Sequence, residues 1–213
     1  MTPQAASAAA YDICKLAPIV PVLVVHEVAH ARPLAEALIA GGLPALEVTL
    51  RTDAALDVIA EMARVEGGAV GAGTLLTPDD VKRAVDAGAT FGVSPGATDT
   101  LLQAAEDLDL AMLPGAATAS EAMRLLERGY DMLKFFPAEA SGGAPALKSL
   151  ASPLPQIRFC PTGGVSTANA ESYLSLPNVV CAGGSWVAPD ALVRAGDWDA
   201  ITKLARAASQ LGR

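Results

Sequence analysis

Met132-Leu133-Lys134-Phe135-Phe136-Pro137-Ala138-Glu139 reads as a short β-strand, apolar and aromatic, ended by a proline that has no N–H to give a ladder. Alternation puts Lys134 and Phe136 on one face and Leu133 and Phe135 on the other. An ammonium buried without a partner is costly, so a lysine in such a strand needs an explanation. One is that it snorkels to an open edge or pairs with a carboxylate. The other is a desolvated amine, its pKa lowered so that some of it is neutral and nucleophilic. A lysine of the second kind forms Schiff bases with carbonyl substrates.

The same pattern recurs on both sides of this stretch. Eight short apolar runs with turn residues at their ends cover 19–25, 45–51, 69–75, 91–96, 111–115, 132–137, 158–163 and 179–184, and successive starts lie about 20 to 26 residues apart. Ala- and Leu-rich helical stretches fall between them at 31–40, 54–64, 78–87, 99–107, 118–128, 144–150 and 167–174, and 197–211 makes the eighth. Thr77-Pro78-Asp79-Asp80 offers a cap, a first-turn proline and two acids. Gly41-Gly42, Gly88 and Gly129 follow helix ends, where a left-handed residue is needed. Eight strand–helix units in a row predict a parallel sheet. At this length, closure into an α/β fold of the (β/α)8 TIM barrel kind is the economical arrangement. An extra N-terminal helix, over 2–16, precedes the first strand and caps one end. The competing arrangement is an open doubly wound sheet, which usually has fewer strands and a glycine fingerprint after the first; Val24-Val25-His26-Glu27 holds no GxGxxG. No linker, charge block or low-complexity tract divides the chain, so a single domain over 1–213 is expected.

Composition narrows the class. Apolar residues make up 52% and charged residues 18%, and mean hydropathy is +0.36, which gives a large core rather than disorder. The longest apolar run, 17–25, is too short to span a bilayer. Residues 1–10 lack a basic stretch followed by a hydrophobic one, so no secretory signal is expected. A formal charge of −8 argues against binding a nucleic-acid backbone. Cys14, Cys160 and Cys181 are odd in number and show no CxxC spacing, which points to reduced thiols in the core of a cytoplasmic protein.

In a barrel the chemistry gathers where the strands end. The second strand carries Glu47, Thr49 and Arg51 on one face and Leu46, Val48 and Leu50 on the other. With the apolar face under the helices, a glutamate and an arginine point into the lumen. The third strand ends Gly71-Ala72-Gly73-Thr74, where Thr74 offers a hydroxyl. Ser94-Pro95-Gly96 and Leu113-Pro114-Gly115 are turns that either border a site or only reverse the chain. Pro161-Thr162-Gly163-Gly164 and Ala182-Gly183-Gly184-Ser185 end the seventh and eighth strands, the two that carry a barrel's phosphate site. Bare backbone N–H groups there can close on phosphate oxygens, with Ser185 as a further donor and a short helix over 189–194 aimed at the same place. His26-Glu27-Val28-Ala29-His30 matches the HExxH zinc signature. It begins where a strand ends, Pro33 disfavours a helix running through it, and the chain has no third histidine. These histidines read as a loop and the first turn of the next helix.

Taken together, Glu47-Val48-Thr49-Leu50-Arg51, Gly71-Ala72-Gly73-Thr74, Lys134-Phe135-Phe136-Pro137-Ala138-Glu139, Pro161-Thr162-Gly163-Gly164 and Gly183-Gly184-Ser185-Trp186 resemble the aldolases of 2-dehydro-3-deoxy-6-phosphogluconate and 4-hydroxy-2-oxoglutarate, from about residue 17 to 204. The resemblance implies a class I aldolase on a TIM barrel, a homotrimer with no metal or cofactor, acting on a phosphorylated keto acid. It makes Lys134 the Schiff-base lysine and Glu47 the proton shuttle. Arg51 and Thr74 would hold the pyruvate carboxylate. Thr162, Gly163, Gly164, Gly183, Gly184 and Ser185 would hold the phosphate, and Phe136 and Pro95 would line the pocket. Val24-Val25 stands where some relatives carry an arginine, which favours phosphogluconate over phosphogalactonate. Two other readings of the residues stand beside this one. A phosphosugar isomerase or epimerase would keep Lys134 as electrostatic support, and a non-catalytic barrel would only bind phosphosugars.

Overall fold

Every strand pairing among the described residues is parallel. The computed structural model describes residues 1–212. Its strands are β1 (Ile19–Leu23), β2 (Ala45–Thr49), β3 (Ala69–Gly73), β4 (Phe91–Val93), β5 (Ala111–Leu113), β6 (Gly115–Ala116), β7 (Met132–Phe135), β8 (Arg158–Pro161) and β9 (Ala182–Gly184). The α-helices are α1 (Pro3–Cys14), α2 (Ala31–Ala40), α3 (Ala55–Met62), α4 (Pro78–Asp86), α5 (Asp99–Asp107), α6 (Ala119–Arg128), α7 (Gly143–Ala151), α8 (Ala170–Leu174), α9 (Asp190–Ala195) and α10 (Trp198–Ala208). A six-stranded sheet runs β5-β4-β3-β2-β1-β9, and a three-stranded sheet runs β6-β7-β8.

The expected eight continuous strands are therefore divided between two sheets. The run over 111–115 splits because Pro114 has no N–H to donate; β5 stays with β4, while the Pro114 carbonyl accepts from the Lys134 N–H at 2.9 Å. The run over 179–184 is strand only from Ala182, with Val179 bridging Phe159 alone. Thr162 and Gly183 form a parallel bridge between the ends of β8 and β9.

Alternation sorts the side chains into two cores. Leu46 and Val48 of β2 and Leu133 and Phe135 of β7 pack beneath the helices, against residues such as Leu34, Leu38, Ile59 and Leu125. The other face gathers Val20, Phe91, Val93, Leu113, Met132, Cys160 and Cys181, joined by Ala10 and Cys14 of α1. The N-terminal helix thus plugs the end of the fold where the strands begin. Ser7 fixes it there: its hydroxyl accepts from the N–H groups of Asp131 and Met132, both at 3.0 Å, and donates to the Asp131 carboxylate at 2.7 Å. The three cysteines are free thiols, all buried.

Helix ends follow the expected chemistry. Thr77 with Asp80 and Thr118 with Glu121 form reciprocal capping boxes at α4 and α6. Gly129 closes α6 at φ 112°, a conformation that side chains disfavour. No helix among the described residues is long and apolar enough to cross a membrane.

The turns after β4 and β5 pack without clearance. A Cβ on Gly115 would lie 2.2 Å from the Pro95 carbonyl oxygen, a backbone atom that cannot swing aside. Gly115→Ala will lower stability by roughly 1–3 kcal/mol, seen as a lower midpoint in chemical denaturation; an unchanged midpoint would show that these turns part freely.

Candidate active site

The C-terminal ends of the strands surround a cavity of about 300 Å³. β7 brings Lys134 to its base and β2 brings Glu47. The Lys134 Nζ donates to Glu47 Oε1 at 3.3 Å, and the two residues are 5% and 3% exposed. The ammonium also stands 5.1 Å from the centroid of the Phe136 ring, an orientation in which the ring face attracts a cation. Of the two explanations for a lysine in this strand, pairing with a carboxylate is present, and the pair lies inside rather than at an edge. Burial pushes the Glu47 carboxyl above its ordinary value of 4.5, and the nearby Lys134 charge pulls it partly back.

Glycines on the neighbouring strand make this possible. A Cβ on Gly73 would lie 2.3 Å from Glu47 Oε1 and 2.7 Å from its Cγ. Two residues along β2, Thr49 donates its hydroxyl to the Leu23 carbonyl at 2.8 Å, tying β2 to β1. Arg51 follows on the same face, exposed, and no carboxylate among the described residues pairs with it. Thr74 takes φ 64° where β3 ends. A β-branched residue is rarely left-handed, and such strain clusters at functional sites.

The opposite wall is built from backbone. Gly163 and Gly164 are both left-handed, at φ 98° and 80°. The N–H groups of Gly164 and Val165 have no protein acceptor among the described residues. Gly183 approaches so closely that a Cβ there would lie 2.3 Å from Thr162 Oγ1. Ser185 completes this side, exposed at the rim. Bare donors of this kind suit an anion.

The cavity wall includes Lys134, Glu47, Arg51, Thr74, Pro95, Phe136, Thr162, Gly163, Gly164, Gly183 and Ser185. Gly184 is not on that wall. It is glycine for a packing reason, since a Cβ there would lie 2.0 Å from the Trp186 ring. The valine of the first strand that reaches the cavity is Val22, while Val24 and Val25 lie beyond the end of β1 and line no part of it. No residue of α9 lines it either. Thr49 and Val165 are further wall residues that the sequence reading did not assign. Thr49 alternates with Glu47 and Arg51, so its face was already a sufficient signal; Val165 carries none. The HExxH stretch lies apart. Val28–His30 is a single 3₁₀ turn, α2 begins only at Ala31, and the His30 ring rests 5.8 Å from that of Trp198. No group of three or more His, Cys, Asp or Glu among the described residues is arranged to hold a metal ion.

A lysine and a carboxylate sealed together at the mouth of parallel strands are the equipment of a lyase that works through a covalent imine. Residues 11–204 match the family model for KDPG and KHG aldolase, and the chain belongs to that family. It is 54% identical over 198 residues to the 2-dehydro-3-deoxy-phosphogluconate aldolase of Pseudoalteromonas atlantica, covering 92% of each chain. A crystal structure of the 2-keto-3-deoxy-6-phosphogluconate aldolase of Zymomonas mobilis with 3-phosphoglycerate superposes with a TM-score of 0.89 at 50% identity, over 94% of each chain. The KDPG aldolase of Legionella pneumophila, with pyruvate captured at low pH as a covalent carbinolamine intermediate, gives 0.91 at 44% identity, over 94% of this chain and 98% of that one.

Because the Gly73 position leaves no room beside Glu47, Gly73→Ala will drive the carboxylate off Lys134. A crystal structure of the variant will show the contact broken and aldol cleavage will fall; a variant of full activity with the contact intact would contradict this account of Gly73.

Proposed function

We propose that the protein is a class I aldolase that cleaves 2-dehydro-3-deoxy-6-phosphogluconate to pyruvate and glyceraldehyde 3-phosphate, and 4-hydroxy-2-oxoglutarate to pyruvate and glyoxylate. The observation that carries this reading is the buried Lys134–Glu47 contact of 3.3 Å at the base of the cavity. The Legionella relative, in which pyruvate was captured as a covalent carbinolamine intermediate, supports it.

The neutral Lys134 amine adds to the C2 carbonyl of the keto acid. Loss of water leaves an iminium, which accepts the electron pair of the C3–C4 bond. As that bond breaks, Glu47, directly or through a water, takes the proton of the C4 hydroxyl, and the aldehyde departs. The remaining enamine of pyruvate is protonated at C3 by Glu47, and hydrolysis of the imine frees Lys134. Arg51 and Thr74 hold the carboxylate beside the lysine. Thr162, Gly163, Gly164, Gly183 and Ser185 hold the phosphate, and that remote grip orients the reacting bond. Phe136 and Pro95 form the walls between.

We read the two parallel sheets as one (β/α)8 barrel over 1–213. The break at Pro114 within one run of chain and the Thr162–Gly183 bridge support that reading. The family resemblance supports a cytoplasmic homotrimer with a place in the Entner–Doudoroff pathway, and light scattering on the purified protein will then return the mass of three chains; one chain's mass would refute the trimer.

Borohydride reduction in the presence of pyruvate, followed by peptide mass mapping, will place a pyruvyl adduct on Lys134. No adduct there would end the proposal. Lys134→Arg keeps a cation but not a nucleophile, so it will lose turnover by about a thousandfold or more; substantial turnover would favour an isomerase or epimerase.

The pH profile follows from Glu47. Its carboxyl is raised above 4.5, so the carboxylate needed as base is lost as pH falls through that raised value. The acid limb of kcat/KM will lie above the ordinary glutamate range. Glu47→Gln will remove that limb and lower kcat by about 10²–10⁴-fold. The same raised value means that ionising Glu47 at higher pH destabilises the fold, so the variant will lose that part of the pH dependence of unfolding.

A further inference from the structure

The left-handed Gly163–Gly164 turn does not stand alone. Above β7 the chain runs alongside it, with the Ala138 N–H donating to the Thr162 carbonyl at 2.8 Å and the Glu139 N–H to the Gly163 carbonyl at 3.0 Å. The Glu139 side chain then lies against Gly164, where a Cβ would come within 2.6 Å of its Cγ. The Tyr173 hydroxyl, on α8, donates to Glu139 Oε1. Tyr173 is fully buried, and burial followed by the Glu139 contact pushes its hydroxyl up, so it remains a donor. From the other side, Asn169 donates its amide to the Gly164 carbonyl at 3.0 Å while its oxygen accepts from the Ser166 N–H at 2.7 Å. Glycine is the least restricted of residues. Two in succession hold one geometry only if something outside them fixes it.

We propose that Tyr173 is a positioning residue for the phosphate grip: its hydroxyl anchors Glu139, and the anchored Glu139 side chain pins Gly164 in the shape that presents the Gly164 and Val165 N–H groups to the substrate's phosphate. The inference rests on the aldolase reading above and extends it to a residue that does not touch the cavity. Held by the tyrosine hydroxyl, with its own backbone bonded to Gly163, Glu139 acts as a wedge.

The test compares a phosphorylated with an unphosphorylated substrate. In Tyr173→Phe the KM for 2-dehydro-3-deoxy-6-phosphogluconate will rise about five- to tenfold, less than the full scale of a lost hydrogen bond to a charged group because the effect reaches the phosphate only through Gly164. Its kcat will hold, and the KM for 4-hydroxy-2-oxoglutarate will not change. Glu139→Ala will behave in the same way. Glu139→Gln, which still accepts from Tyr173, will stay near the wild type. Equal KM changes for both substrates, or none for either, would overturn the proposal, as would Glu139→Gln matching Glu139→Ala. Inorganic phosphate titrated calorimetrically into the wild type and Tyr173→Phe reads the grip without turnover: it will bind the variant more weakly. Equal binding, or none to the wild type, also overturns the proposal. The borohydride adduct on Lys134 is expected in both proteins, so its absence from the wild type would mark failure of the aldolase reading instead.

Discussion

The contact between Lys134 and Glu47 is the constraint the remaining structure serves. Both groups have left water, and neither tolerates that alone. Removing one member of such a pair typically costs about 3–5 kcal/mol, because the other is left charged in a dry site. The pair therefore requires strands that bring positions 47 and 134 within reach across the interior. It also requires small residues wherever the two side chains would otherwise collide with a neighbour. Gly73 meets that second requirement beside Glu47. Phe136 closes the site over the ammonium with a ring face rather than with a competing acceptor.

Division of labour across the cavity follows from the same layout. Side chains with charge, Lys134, Glu47 and Arg51, come from β7 and from β2 with its C-terminal end, and make one end of the cavity charged. The other end is almost without side chains. Gly163, Gly164 and Gly183 leave the backbone itself as the binding surface, and backbone donors do not ionise or change rotamer. In the proposed function, a substrate with a keto acid at one end and a phosphate at the other then has a single way to lie. The protein carries a net charge of −8, so under that proposal attraction for such an anion is local, coming from Arg51, Lys134 and aligned N–H groups rather than from the field of the whole molecule.

How much of this could be read from the chain differs from residue to residue. Alternation sufficed for Leu133 and Phe135 against Lys134, and for Leu46 and Val48 against Glu47, because a strand buried on both faces allows no other register. The caps at Thr77 and Thr118 are local chemistry and so are visible locally. The break at Pro114 was written in the sequence as a missing donor, yet the five-residue run around it looked continuous. Gly184 shows a different limit. Gly183 and Gly184 are the same letter twice, one making room for Thr162 at the cavity and the other for Trp186 away from it. Only the positions of those neighbours separate them. Tyr173 and Glu139 are 34 residues apart, with no periodicity or motif joining them, and α8 begins three residues later than its apolar pattern suggests, after Asn169 turns back to hold Ser166 and Gly164.

Within the proposed reaction, the raised proton affinity of Glu47 links the buried pair to the chemistry. An ordinary carboxylate in water holds a proton too weakly to take one from an alcohol and keep it. Burial disfavours the charged form of Glu47 and so strengthens its grip on a proton. The opposing influence is the cation at Lys134, 3.3 Å away. That cation is absent while the free amine attacks and present again in the iminium. The carboxyl's affinity for a proton therefore changes in step with the state of the nitrogen beside it, and bond breaking draws on one coupled pair rather than on two independent groups.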